Sequence, residues 1–208
     1  MKRNTAYRAD ANRGELFGLL VCGVFFLVGI VIGTFSAGSL DEAGTLALRH
    51  SMAEYIEQIT AGTHIAPGFL SALWVTGRVP LLVLFLGFSL LGSLCLPVVA
   101  GVRGFYLSFS IAAFIRAFGA GGWPLAFALF GTGALITVPC FFILASQAFA
   151  ASAQMGRSAL GAGNVRAGAL YGRGYLLRTG LCTAGILLAV LVELYVTPAL
   201  VAWTSSLL

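Results

Sequence analysis

The sequence predicts an all-α fold: a polytopic integral membrane helical bundle of about five transmembrane helices with one outer amphipathic helix. Three observations carry this. Of 208 residues, 59% are hydrophobic and only 9% charged, against about 25% charged in ordinary globular domains. The mean hydropathy is +0.97. The uncharged runs are continuous rather than alternating, which excludes a β-barrel, and so apolar a chain is the opposite of a disordered one. Twelve basic and seven acidic side chains are too few to cover a soluble surface.

Read against the roughly 20 residues that a bilayer requires, the chain forms a single membrane domain, 1–208. Residues 1–15 are an N-terminal segment and 16–36 the first span. Its apolar run is longer than a signal peptide's, and Phe35 stands where a cleavage site needs a small residue, so it reads as an uncleaved anchor. Residues 39–78 form an outer loop. Spans two and three occupy 79–102 and 104–118, separated at Arg103. Span four follows the Gly119–Gly122 break as 123–151, a basic loop fills 152–178, and span five is 179–203.

Charge sets the expected orientation. Lys2, Arg3, Arg8, Arg13, Arg103, Arg157, Arg166, Arg173 and Arg178 fall on one side when the N-terminus is cytoplasmic, as the positive-inside rule requires. Five spans then leave the C-terminus outside.

Within the outer loop, Leu48, Met52, Tyr55, Ile56 and Ile59 recur at helical spacing and form a candidate partner-binding face. Ser39 and Glu42 have capping-box spacing, which starts this helix near Asp41. Gly29, Gly33 and Ala37 form a small-xxx-small row in the first span, and Gly180 and Ala184 another in the last.

The search for chemistry is mostly negative. There is no GxxxxGK[ST], no HExxH and no GxSxG. Cys22, Cys95, Cys140 and Cys182 are scattered through apolar runs and read as packing groups. His50 and His64 read as solvated loop histidines. No catalytic residue, metal site or cofactor is expected, and basic residues at span ends do not make a nucleic-acid surface. Two intramembrane charges are costly enough to be functional candidates. Arg116 lies about 18 Å into span three and Glu193 about 21 Å into span five, so they form a candidate intramembrane ion pair. These charges also motivate an alternative reading, a permease or transporter subunit for a small solute or ion.

Three stretches resemble the stage II sporulation protein M family: FFLVGIVIGTFSAGSL (25–40), LVLFLGFSLLGSLCLPVVAGVRGFYLSFSIAAFI (82–115, with Gly104 and Phe105 in the family's Gly-Phe) and GALITVPCFFILASQAFAAS (133–152, with the mid-span Pro139). The resemblance implies a non-enzymatic membrane scaffold for the complex that thins septal peptidoglycan during engulfment. It implies localisation to the sporulation septum of a bacterial cytoplasmic membrane. It also implies partners among the other sporulation membrane proteins, stage II sporulation proteins D and P. The lipid bilayer and a second copy of the chain are the other expected partners; nucleic acid is not one.

Overall fold

The computed structural model describes residues 2–60, 68–159 and 172–205. Among the described residues seven α-helices occur in order: α1 Lys2–Gly38, α2 Glu42–Thr60, α3 Phe69–Gly87, α4 Gly92–Phe118, α5 Gly122–Ala126, α6 Thr132–Ala159 and α7 Arg173–Ser205. A 3-10 turn at Gly119–Gly121 precedes α5, and a π-helical turn at Phe127–Gly131 joins α5 to α6. No strand occurs among the described residues. Among the described residues five stretches are long and apolar enough to cross a membrane: Arg13–Gly38, Phe69–Gly87, Gly92–Phe118, Gly122–Ala159 and Arg173–Val201. The chain is therefore a five-span membrane protein. Leu20, Phe35, Leu94, Leu181 and Tyr195 all point outward, as lipid-facing side chains do when burial no longer separates apolar from polar.

The span count matches the expectation, but the boundaries move. Residues 152–159 and 173–178, read as parts of the basic loop, extend α6 and α7, while 160–171 lie outside the described residues. Spans two and three also divide elsewhere. The break between spans two and three falls at Phe88–Leu91 and not at Arg103. Residues 69–78, read as the end of the outer loop, form the first half of α3 instead. The physical reason lies in hydrogen bonding. A turn within the membrane region must satisfy its own backbone groups, and here Ser152 of α6 does this. Its fully buried hydroxyl donates to Ser89 O (2.7 Å) and lies 3.3 Å from Leu90 O, while accepting from Ser93 N (2.8 Å). Gly92 makes the close approach, since a Cβ there would run into the Leu86 carbonyl. With the turn held at that point, α4 runs unbroken through Arg103 for 27 residues, and residues 104–118 are the second half of a full span.

Helix directions follow from the contacts. Phe26 meets Gly104, Gly33 meets Phe105, and Arg116 reaches Ala37, so α1 and α4 run parallel. Gly14 meets Ala150 and Phe26 meets Phe142, so α6 runs against α1. Gly185 meets Cys140 and Thr132 meets Thr197, so α7 runs against α6. One face of the bundle, the basic side, thus carries the N-terminal end of α1, the Phe88–Leu91 turn, the end of α6 and the start of α7. There Arg178 pairs with Glu15 at 2.8 Å. The opposite face is the α2 side.

The α1–α4 seam is glycine-built, as the small-residue row predicts. A Cβ on Gly29 would strike the Gly101 carbonyl and one on Gly33 the Ser108 hydroxyl. That proximity lets Ser108 donate to Ile30 O at 2.9 Å across the seam. The second row behaves differently: Gly180 and Ala184 are exposed, and no atom stands within 4 Å of a Cβ on Gly180. Helix α7 packs through Cys182, Ile186, Ala189 and Val190 instead, all buried. Spacing alone does not say which face of a helix meets its neighbour.

Candidate functional site

On the α2 side, helix ends are closed by arginines. α4 stops because Gly119 adopts φ 61°, a conformation that favours glycine. The orphan carbonyls left at helix C-termini attract cations. Arg49 of α2 donates its Nε to Ala117 O at the end of α4, and Arg116 donates its Nη1 to Ala37 O at the end of α1 (3.1 Å). Arg116 is thus a capping residue. The expected Arg116–Glu193 ion pair is not formed, because Glu193 has a separate partner: its carboxylate accepts from Thr76 of α3 at 3.0 Å. Nor do the depths match. Arg116 lies in the last turn of α4, whereas Glu193 lines a cavity with Arg78 and Arg103 near mid-span. The α1 terminus offers Arg116 a nearer acceptor.

α2 begins at Glu42, next to the expected Asp41, but the cap differs. Asp41 Oδ1 accepts from Glu42 N at 2.8 Å, while Ser39 donates to Ser36 O. Leu48, the first residue of the candidate partner face, packs onto a core cluster of Phe114, Leu125, Ala126, Ala128 and Val201. Its side chain therefore faces the bundle, because the helix is seated across the ends of the spans. The side chains of Met52, Tyr55, Ile56 and Ile59 lie outside the described residues, as does His64. His50 is exposed and 3.5 Å from Glu54 one turn later.

The charges that sequence reasoning missed are Arg78 and Arg103. Along the chain both read as span boundaries, because long uncharged runs begin and end at them. Arg78 instead lies nine residues from either end of α3, and Arg103 eleven residues into α4, each near mid-span. A signal was present: residues 69–87 form a 19-residue window with one arginine, and Gly87, Ser89 and Gly92 mark a turn.

Together they line a cavity of about 550 Å³ between α3, α4, α6 and α7. Its polar lining comprises Thr76 and Arg78 from α3, Arg103, Tyr106 and Ser110 from α4, Thr137 from α6 and Glu193 from α7. Between these stand valines and leucines. Wall residues such as Leu82, Val98 and Val102 are also exposed at the bundle surface, so the cavity opens sideways between α3 and α4. Arg103 is half-buried with its guanidinium over the Phe141 ring, 5.4 Å from the centroid, a cation–π arrangement. Its Nε is buried without a hydrogen-bond partner. A second cavity, about 590 Å³ between α3, α6 and α7, is lined by Leu70, Trp74, Pro80, Leu144 and Ile186 among others and contains no charge.

Elsewhere, Gln147 of α6 is 3% exposed, and neither its Oε1 nor its Nε2 finds a partner among the described residues. The four cysteines are free thiols. Among the described residues no group of three or more His, Cys, Asp or Glu side chains is placed to hold a metal ion.

No curated protein and no solved structure matches the chain. A family model does: stage II sporulation protein M matches residues 22–198, from within the first span to near the end of the last. Five helices of membrane-spanning length among the described residues and that match over most of the chain make it a sporulation-associated membrane protein belonging to the stage II sporulation protein M family.

Proposed function

We propose that the chain is a non-catalytic membrane scaffold for the peptidoglycan-degrading complex that thins the septum during engulfment, anchoring stage II sporulation proteins D and P. Its place is the sporulation septum and engulfing membrane, with the N-terminus cytoplasmic and α2 outside. The observation that carries this reading is the seating of α2. Arg49 and Leu48 fix the helix across the ends of α4 and α7, leaving His50, Glu54 and Glu57 exposed as a rigid polar surface beside the membrane. Rigid presentation lowers the ordering cost of binding a partner.

The test is co-purification from crosslinked membranes of sporulating cells. Proteins D and P should be retained with the tagged chain and lost with Glu54→Lys/Glu57→Lys at unchanged expression. Absence of both from the intact chain would overturn the reading. The purified chain alone should not cleave peptidoglycan, and measurable cleavage would do the same.

The charged cavity favours a second reading, a permease or transporter subunit for a small solute or ion, because ionisable residues at membrane depth commonly mark substrate pathways. Solute uptake by proteoliposomes containing only this chain would favour it over the scaffold.

A further inference from the structure

We propose that the cavity between α3, α4, α6 and α7 binds a monoanionic oxyanion, a carboxylate or phosphodiester group held by Arg78 and Arg103, with an apolar remainder along the valine and leucine walls. This goes beyond the scaffold reading and does not depend on it.

Charge carries the first step. Three charged side chains line the cavity, two guanidiniums and one carboxylate, so its lining has one net positive charge. Glu193 accepts its hydrogen bond from Thr76. Arg78 and Arg103 make no hydrogen bond or ion pair among the described residues, and the Arg103 Nε is buried unpartnered. Both lie near mid-span, where an uncompensated charge costs several kcal/mol. Elsewhere Arg49 and Arg116 cap helix C-termini and Arg178 pairs with Glu15, while Arg13, Arg157 and Arg173 lie exposed at the ends of spans. Among the described residues, Arg78 and Arg103 are the arginines placed near mid-span, and both line the cavity. One bound monoanion neutralises the lining.

Chemistry carries the second step. Guanidinium donors match the planar or tetrahedral oxygens of carboxylate and phosphate, frequently in bidentate geometry. The cation–π contact with Phe141 holds the Arg103 guanidinium at the ring face without consuming its donors. Tyr106, Ser110 and Thr137 supply further hydroxyls to the same space. Volume and opening carry the third. About 550 Å³ falls in the range of small-molecule sites, far more than an inorganic ion fills. The apolar remainder has Val75, Val79, Val98 and Val99 to lie against, and the opening between α3 and α4 admits it from the membrane.

The experiment is thermal unfolding of the purified full chain in a neutral detergent, titrated with decanoate, short-chain phosphatidylglycerol, acetate and short-chain phosphatidylcholine. Decanoate or phosphatidylglycerol should raise Tm saturably, while phosphatidylcholine should not. A larger response to phosphatidylglycerol assigns a lipid source, and a larger response to decanoate a fatty-acid-like carboxylate. Arg78→Gln and Arg103→Gln should each weaken half-saturation by at least about tenfold, whereas Arg157→Gln, outside the cavity, should not. If Arg103→Gln does not fold, Arg78→Gln decides. No saturable shift with either anionic amphiphile, or shifts that survive Arg78→Gln unchanged, would overturn the site. Acetate matching decanoate would overturn the role of the apolar walls.

Discussion

Arg116 reaches across from the last turn of α4 to cap α1, its Nη1 donating to Ala37 O at 3.1 Å. Because α1 and α4 run parallel along a glycine seam, their C-termini end side by side, and one arginine near the end of α4 serves its neighbour. Arg49 serves α4 in turn, through Ala117 O.

This arrangement separates Arg116 from Glu193 energetically. Arg116→Gln should lower stability in detergent by about 0.3–1 kcal/mol, the usual range for a cation at a helix C-terminus. Glu193→Gln should act independently, and the double mutant should be additive within about 0.5 kcal/mol. Thermal or denaturant unfolding of the four proteins in the cycle measures this. Recovery of stability in the double mutant would mean that the two charges are coupled after all.

Ser152 is the side chain whose loss should be felt most per atom removed. Ser152→Ala leaves Ser93 N and the Ser89 and Leu90 carbonyls without their shared partner, in a place where water is scarce. A loss of about 1–3 kcal/mol is expected, read as a lower Tm. Faster proteolysis or hydrogen exchange confined to residues 86–94 would localise the effect to the turn.

The α1–α4 seam predicts a sharp contrast between glycines on one helix. Gly33→Leu must displace the Phe105 backbone and Ser108, whereas a Cβ at Gly23 meets nothing within 4 Å. Gly33→Leu should abolish the monodisperse folded protein, and Gly23→Leu should be close to neutral. Size-exclusion profiles in detergent distinguish them, and equal behaviour of the two variants would contradict the seam.

Orientation is the fourth expectation. Reporter fusions at Asp41 and at Arg157 should report opposite sides of the membrane, with Arg157 cytoplasmic, since the basic side holds Arg13, Arg157, Arg173 and Arg178. Same-side reporters would rule out the antiparallel α1–α6 arrangement as a membrane topology.

The class, the number of spans and the small-residue row that becomes the α1–α4 seam were legible in the amino-acid sequence, although which row would pack was not. Each depends on a quantity local to the chain: the length of an apolar run, the spacing of small residues, and the family pattern that covers residues 22–198. Where spans two and three divide was decided by tertiary structure, because the turn at Phe88–Leu91 is stabilised by a hydroxyl 59 residues downstream from Ser93. The site was decided in the same way. Arg78 and Arg103 look like boundary charges when each is considered along the chain, and become cavity residues only when α3 and α4 stand beside α6 and α7. Arg116 and Glu193 looked like partners because both are costly in lipid and similar in the depth counted along the expected spans, yet the acceptor for one is a helix terminus and the donor for the other a threonine on α3. Counted depth is a one-dimensional quantity read along the sequence, whereas the choice of partner depends on which helix faces meet. That choice is made by steric fit along seams such as Gly29–Gly101.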